Sequence, residues 1–261
     1  MIVDLHFHAG RDRVPRKYTY EDAAIISRDS RIWTVFKNHT IDTVDTAHRL
    51  RAKGYPVSGS VVLSNASHID LGERLRSLNS INRCNGSPRL MVYYPTSFPN
   101  RVDPGVGVWF DEKCQLTSAS KQLIRACVDL DIILCTGHLP CSFIFSLVDY
   151  IGNLKQQPKV LLTHATHPIG GFDLKGLHHM LDVDFVWIEL TELTYRLGRA
   201  NLGDHLDILQ GPRVIISSDH GQPESPDREE WESVVSKTFA DCDMKILREA
   251  TQQRPFELLF D

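Results

Sequence analysis

The chain has 261 residues and a formal net charge of −4 with His neutral, because 29 Lys and Arg oppose 33 Asp and Glu. Its 42% hydrophobic and 24% charged residues are typical of a globular protein, which excludes disordered, collagen-like and membrane-spanning chains. The charge excludes a strongly basic nucleic-acid surface, so we expect neither a nucleic acid nor a membrane as a partner.

Short apolar runs alternate along the chain with segments of helical periodicity, which is the pattern of repeated βα units. Several runs are apolar on both faces, as in parallel strands that helices cover. Eight strands in about this length predict an α/β fold, a single (β/α)8 barrel domain over residues 1–261 with C-terminal helices. The predicted strands are residues 2–5, 32–36, 60–63, 90–94, 132–135, 160–162, 185–188 and 214–216.

Most of these strands are followed by a segment with helical spacing of apolar residues. In residues 69–84, Leu71, Leu75 and Leu78 fall on one face and charged residues fall outside it. Residues 95–117 contain Pro and Gly without a clear helical pattern, and we predict a long loop there, a candidate lid. The predicted helices are residues 20–27, 42–53, 69–84, 118–130, 142–154, 173–181, 201–209, 228–239 and 244–250.

The cysteines and the first residues indicate the compartment. The six Cys form no Cys-x-x-Cys pair, and a chain of this size can build a core without disulfides. The start of the chain lacks the pattern of a signal peptide, because Asp4, His6 and His8 interrupt its apolar run. We therefore expect reduced cysteines and a cytoplasmic protein.

Histidine is concentrated where the predicted strands end, which is where barrel enzymes build their active sites. Imidazole is the commonest metal ligand. Alternation along the first strand puts His6 and His8 on one side, close enough together to bind one metal. Asp4 shares that side one step deeper, where it could orient a His or make a structural hydrogen bond. Of the 12 His, seven lie at or just after a strand end: His6, His8, His39, His138, His164, His167 and His220.

Asp219 after the eighth strand and Lys37 at the end of the second complete this group. His on the first, fifth and sixth strands and Asp on the eighth are separate requirements of one metal centre, and they are met in barrel order. We therefore predict a divalent metal, with Zn²⁺ as the expected ion and Mn²⁺, Fe²⁺ or Ni²⁺ as alternatives. The predicted ligands are His6, His8, Lys37, His39, His138, His164 and Asp219.

The predicted catalytic residues are Asp219, His164 and Lys37. A bound ion would lower the pKa of a water molecule to about 7. Asp219 beside that water is the expected general base, which then passes the proton to the leaving group. His164 is expected to act as a ligand or as an acid. Further candidates for orienting the substrate or the base are Glu189, His167 and His220.

The loop after the first strand carries Arg11, Arg13, Arg16 and Lys17 at the predicted mouth of the barrel. Four cations there favour a small anionic substrate, a carboxylate or a phosphate, bound by Arg16 and Lys17. The alternative interpretation is a solvated basic loop.

At the metal-ligand positions the chain resembles the amidohydrolase superfamily of metal-dependent hydrolases. The resemblance covers nearly the whole barrel and implies a (β/α)8 fold with a divalent metal. The motifs Asp-Leu-His-Phe-His-Ala-Gly at residues 4–10 and Lys-Asn-His at residues 37–39 are similar to a family of small, uncharacterised amidohydrolase-like proteins, which implies no substrate. The residues that match the superfamily are His6, His8, His138, His164 and Asp219.

The chain departs from the superfamily pattern at its fourth strand. Two-metal members usually carry a bridging carboxylated Lys or a Glu there, and residues 92–96 contain neither. Lys37 is the natural substitute, since a buried Lys of lowered pKa can react with carbon dioxide to give a bridging carbamate. The alternatives are an unmodified Lys37 that binds substrate and a salt-bridged structural Lys37. Without a bridge we expect one metal, on His6, His8, His138 and Asp219.

Four functions are compatible with these residues. The leading hypothesis is hydrolysis of an amide, lactam or lactone in a small molecule by a metal-activated water. A metal-dependent phosphoesterase also begins with His-x-His, but such enzymes draw more acidic ligands from the middle strands, where only Glu189 is available. Decarboxylation or deamination on the same scaffold and a non-catalytic ligand-binding barrel are the others. Barrels of this type often pair, so a homo-oligomer is also expected.

Overall fold

The computed structural model describes residues 1–63, 70–83, 88–96 and 106–261. All paired strands are parallel, in the orders β1-β2-β3 and β4-β5-β6-β7-β8-β9. The strands of the described residues are β1 (Ile2–His8), β2 (Ile32–Lys37), β3 (Val57–Ser58), β4 (Ser60–Val62), β5 (Met91–Tyr93), β6 (Ile133–Cys135), β7 (Val160–Leu162), β8 (Val186–Thr191) and β9 (Val214–Ser217).

Backbone hydrogen bonds join the last strand region to the first, which closes the ring of strands. The Asp219 amide donates to the His6 carbonyl and the His8 amide donates to the His220 carbonyl, both over 2.9 Å. On the other side of the ring only Gly59 separates β3 from β4. The predicted α/β class and (β/α)8 barrel are therefore confirmed.

Gly59 explains why the third strand, predicted at residues 60–63, is preceded by a separate short segment, β3. A Cβ atom at Gly59 would lie 2.5 Å from the Val44 Cα, where the second helix begins. Only Gly lets the helix approach the strand this closely. The chain bends there, so β3 pairs with β2 while β4 pairs with β5.

The predicted helices are present, with shifted ends, in the described residues. The segment predicted at 201–209 is a 3-10 turn, Leu202–His205, followed by a short α-helix. Of the predicted loop at 95–117, residues 97–105 lie outside the described residues and 106–109 form a helical turn. The α-helices are α1 (Tyr20–Asp29), α2 (Val44–Arg51), α3 (Leu71–Asn82), α4 (Val106–Trp109), α5 (Ser118–Asp129), α6 (Cys141–Gly152), α7 (Leu174–Leu181), α8 (Glu192–Arg196), α9 (Leu206–Leu209), α10 (Trp231–Thr238), α11 (Met244–Arg248) and α12 (Arg254–Phe260).

The interior of the barrel is filled by apolar side chains from the strands, and α12 closes its lower end. Leu258 and Leu259 of α12 pack against this interior cluster. Arg89 fixes the helix there, because its amide donates to the Leu259 carbonyl over 2.9 Å and its Nη1 to the Leu258 carbonyl over 3.0 Å. No helix in the described part of the chain is long and apolar enough to cross a membrane. The strand residues of the cluster are Val3, Leu5, Val35, Met91, Tyr93, Ile133, Cys135, Leu161, Trp187 and Ile215.

β1 contains one extra residue relative to β2. Asp4 pairs with Thr34, but the next pair along the two strands is Phe7 with Phe36, so three steps on β1 oppose two on β2. Such a bulge reverses the alternation of side chains along a strand.

The two halves of β1 therefore face differently. Val3 and Leu5 lie in the barrel interior, whereas Phe7 packs with the helices outside it. Beyond the bulge, His6 faces the interior, where its ring centroid lies 6.1 Å from that of Tyr93. The prediction that Asp4 shares the side of the two histidines is wrong for this reason.

Candidate metal centre

A cavity of about 200 Å³ opens at the carboxyl ends of the strands, the end at which the histidines were predicted to gather. Apolar side chains, charged side chains and a dense group of imidazoles share its wall. The predicted site residues that line it are His6, His8, Arg16, His39, His138, His164, His167 and Asp219.

Three donor atoms converge in this cavity. His6 Nε2 and His8 Nε2 are 3.3 Å apart, and Asp219 Oδ1 lies 3.3 Å from each. They form a group in which all ligand atoms lie within 4.8 Å of one another. Two imidazole nitrogens and a carboxylate oxygen are the donor types that Zn²⁺ and similar ions accept, so this donor set fits a divalent metal.

Glu189 sets the orientation of the His6 ring. Its Oε2 lies 3.1 Å from His6 Nδ1 and accepts the amide hydrogen bond of His164 over 2.9 Å. A carboxylate that accepts from Nδ1–H leaves Nε2 unprotonated, which is the form that can bind a metal. Glu189 is fully buried and does not line the cavity. It therefore lies behind the His6 ring, outside the wall of the cavity.

The protonation states also suit a metal. Burial lowers the pKa of His8 and of His164 well below the usual value for imidazole, so both rings are neutral near pH 7. Burial raises the pKa of Asp219, but the neighbouring His6 and His8 outweigh that effect and hold it well below its usual range. Neutral imidazoles and an ionised carboxylate are the forms that bind metal ions.

Lys37 lies directly against this group. Its Nζ is 3.0 Å from His6 Nε2 and 4.3 Å from the centre of the Tyr93 ring, and burial lowers its pKa. Among the described residues no carboxylate forms an ion pair with it, which disfavours the structural salt bridge. The carbamate and the unmodified amine stay predictions.

His138 and His164 extend the imidazole group. Their ring centroids are 4.8 Å apart, and that of His164 is 5.7 Å from that of His6. His164 Nδ1 is buried and has no hydrogen-bond partner within the residues described. A buried nitrogen in that state is suited to a ligand or a substrate.

Asp12 was not predicted, yet it joins His8 and His39 in a second group of metal-type donors. Its Oδ2 accepts hydrogen bonds from Arg16 Nε over 3.0 Å and Nη2 over 2.6 Å, and lies 2.8 Å from His39 Nδ1. A guanidinium balances this carboxylate, so the group contains an ion pair in this structure, and His39 as a metal ligand stays a prediction. The signal in the sequence was a single acidic residue among the four loop cations.

Two predicted substrate-binding residues lie outside the cavity wall. Lys17 forms an ion pair with Asp227, at 2.6 Å, and donates to the Ser225 carbonyl. His220 is buried, and its Nε2 lies 2.5 Å from Glu192 Oε2. In this structure both side chains make contacts that stabilise the local fold.

His167 does line the cavity, where its Nε2 lies 3.0 Å from Arg199 Nη1. Arg199 is a cavity residue that the sequence did not reveal, since it lies beyond the end of α8 and not at a strand end.

Asp4 holds together the two strands that supply the donors. It accepts hydrogen bonds from the backbone amides of His6 over 3.2 Å and Ser218 over 2.9 Å, and from Ser218 Oγ over 2.6 Å. Arg228 forms a fully buried ion pair with the same carboxylate. Asp4 therefore fixes backbone positions next to His6 and Asp219 instead of orienting an imidazole.

Gly221 offers a test of how closely β1 and the segment after β9 must approach. We expect Gly221→Ala to destabilise the fold by at least about 2 kcal/mol, because a Cβ at this residue, where φ is +112°, would lie 1.8 Å from the His8 carbonyl oxygen. Gly54→Ala is the matched control, since Gly54 has φ +88° and open space around it, and should cost only about 1 kcal/mol. Urea unfolding of both variants measures the difference, and equal losses would contradict the prediction.

The family model for a family of unknown function (DUF6282) matches residues 1–68 and 75–189. The chain belongs to the DUF6282 family. The matched ranges contain the histidines that line the cavity as well as Lys37 and Glu189, while Asp219 lies beyond them. No curated protein matches this DUF6282 chain in sequence.

Solved structures of several proteins share the fold of this DUF6282 protein. A 2,6-dihydroxybenzoate decarboxylase complexed with 2,6-dihydroxybenzoate matches with a TM-score of 0.60 and 9% identity over 98% of both chains. A 2,6-dihydroxybenzoate decarboxylase from Rhizobium matches with a TM-score of 0.52 and 9% identity, again over 98% of both. YJJV, a TatD homolog from Escherichia coli K12, has a TM-score of 0.55 and 13% identity over 98% of this chain and 93% of its own. At 9–13% identity, these likenesses show that the chain shares the fold of these proteins.

Proposed function

We propose that this DUF6282 protein is a metal-dependent hydrolase that cleaves an amide, lactam or lactone bond in a small anionic substrate. The observation that carries the proposal is the convergence of His6 Nε2, His8 Nε2 and Asp219 Oδ1 in one cavity. The ionised Asp219 carboxylate is 14% exposed, so a water in the cavity can reach it.

A divalent ion fits His6, His8 and Asp219, with His138 and His164 as the neighbouring candidates, and Zn²⁺ is our proposed ion. When bound, such an ion increases the acidity of water and polarises a carbonyl oxygen. Asp219 accepts the proton of the attacking water and returns it to the leaving group. Glu189 keeps the His6 Nε2 lone pair directed at the cavity throughout.

Decarboxylation is the second candidate, because a 2,6-dihydroxybenzoate decarboxylase shares the fold over 98% of both chains. One fold carries many reactions, so this likeness does not choose between breaking a C–C bond and hydrolysis. We favour hydrolysis because a carboxylate that can accept a proton from water stands within the donor set itself.

The test begins with the metal content of the protein, purified without chelator. We expect at least one equivalent of divalent metal per chain, and its loss in a His6→Ala/His8→Ala double variant. The wild-type protein is then assayed with lactones, cyclic amides and N-acyl amino acids, with p-nitrophenyl phosphates and with aromatic carboxylates that release carbon dioxide. Absence of metal, or turnover confined to the phosphates or to carbon dioxide release, would refute the hydrolase proposal.

A further inference from the structure

One guanidinium nitrogen of Arg16 has no hydrogen-bond partner among the residues that the structure describes. Its side chain is 1% exposed and lies in the cavity wall. Asp12 takes the hydrogen bonds of Nε and Nη2, but Nη1 is buried and has no partner within the described part of the chain. A buried charged donor without an acceptor is costly, so this nitrogen is suited to an oxygen atom of a ligand.

Arg16 is also next to the metal centre. Its Nη2 lies 3.0 Å from His39 Nδ1, and the His39 ring stacks on that of His8 with centroids 4.7 Å apart. A group bound at Nη1 would therefore sit near the donor set, on the side of His8. One small ligand could therefore contact Arg16 Nη1 and the donor set at the same time.

The charges in the cavity favour a singly charged ligand. Asp12 already offsets much of the charge of Arg16, and the carboxylates of Asp219 and Glu224 line the same cavity. The remaining cations of the wall, Arg13 and Arg199, are exposed. A doubly charged phosphate would meet more repulsion here than a carboxylate, because among the described wall residues Arg16 Nη1 is the one buried guanidinium nitrogen without a partner.

The size and the apolar lining restrict the rest of the ligand. The cavity holds about 200 Å³, below the roughly 300–1,000 Å³ of sites for drug-sized molecules. An apolar part of the ligand has partners among its side chains, because the wall includes Val14, Ile169, Leu193 and Leu197.

We propose that the substrate is a small monocarboxylate with a short apolar chain, whose carboxylate is bound by Arg16 Nη1. This deepens the proposed function and rests on it for the reaction, since the bond to be cleaved would then lie beside His6, His8 and Asp219. Arg16 is a substrate-binding residue in this scheme, and Asp12 holds its guanidinium in place.

Isothermal titration calorimetry with 3-methylbutanoate as the probe tests the proposal, with the metal content of each sample measured alongside. The wild-type protein should bind the acid at least tenfold more tightly than its neutral analogue 3-methylbutanamide. Arg16→Met should weaken binding of the acid roughly ten- to hundredfold, as expected for loss of a charge-assisted hydrogen bond. Arg11→Met is the matched control, because Arg11 is on the same loop but not in the cavity wall, and it should leave binding unchanged.

Arg16→Lys guards against a merely unfolded variant, since Lys still offers Asp12 a cation but lacks Nη1, and it should also weaken binding. Equal affinity for the acid and the amide, unchanged affinity in the Arg16 variants, or tighter binding of inorganic phosphate than of the acid would overturn the proposal. If binding depends on Arg16 in a protein that contains no metal, the hydrolase proposal fails and the carboxylate site stands. If metal is present and the Arg16 variants bind the acid as tightly as the wild type, the carboxylate site fails and the hydrolase proposal stands.

Discussion

Replacing Asp219 by Asn is expected to lower the kcat of the proposed hydrolysis by roughly 10²–10⁴ while the fold survives. The amide cannot accept the proton of the attacking water, and it is a weaker metal ligand than the carboxylate. Asn suits the backbone, because Asp219 has a φ of +54° and Asn adopts this left-handed region more readily than most residues. The measurement is kcat with the best substrate of the panel, together with thermal unfolding and metal content.

Asp131→Asn is the matched control for this experiment. Asp131 also has a positive φ, +50°, but it lies just before β6, at the opposite end of the barrel from the cavity. There it accepts a hydrogen bond from Arg89. We expect this variant to keep the wild-type kcat. If Asp219→Asn also kept it with metal still bound, Asp219 would not be the general base.

Arg228→Met is expected to destabilise the protein by about 3–5 kcal/mol, because it leaves the Asp4 carboxylate buried without its counter-charge. Both side chains are fully buried. Arg228 also donates from Nη2 to Thr34 Oγ1 over 2.8 Å and lies 4.5 Å from the centre of the Phe7 ring. Urea unfolding measures the loss, and a reduced metal affinity should accompany it, since Asp4 fixes the backbone beside His6.

Two further variants separate the buried charge from the lost packing. Arg28→Met removes an arginine from an exposed ion pair with Asp29 and should leave the unfolding midpoint unchanged. Adding Asp4→Asn to Arg228→Met removes the stranded charge, so the double variant should be more stable than Arg228→Met alone. If Arg228→Met alone were as stable as the wild type, the Asp4–Arg228 ion pair would contribute little to the free energy of unfolding, which would contradict the prediction.

Much of the barrel was predictable because buried parallel strands are continuous apolar runs, which local composition reveals. The ends of β1 and β8 could not be predicted from composition. Both strands continue into segments that contain polar residues, 6–8 and 189–191, and pairing with the neighbouring strands keeps these segments extended. α12 was missed as well. Pro255 argues against a helix, yet it is tolerated there because it directly follows the π-helical turn Glu249–Gln253, where the regular hydrogen-bond pattern is already interrupted.

The histidines of the cavity were predictable because the carboxyl ends of barrel strands meet at one place. Loop residues were harder. Arg16 and Lys17 are neighbours with the same charge, but Arg16 contacts Asp12 in the cavity wall and Lys17 contacts Asp227 outside it. That difference depends on the backbone path of the loop, which has no periodicity to indicate where a side chain points.

Because of the bulge in β1, the metal centre depends on the register of β1 against β2 as well as on the types of its residues. If β1 paired with β2 residue for residue beyond Asp4, side-chain alternation would turn both imidazoles toward the helices outside the barrel, and Phe7 would enter the cavity. No ligand would have been substituted, yet the donors would no longer meet. The bulge is therefore what allows Val3 and Leu5 to fill the barrel interior while His6 and His8 face the cavity on the same side of the strand.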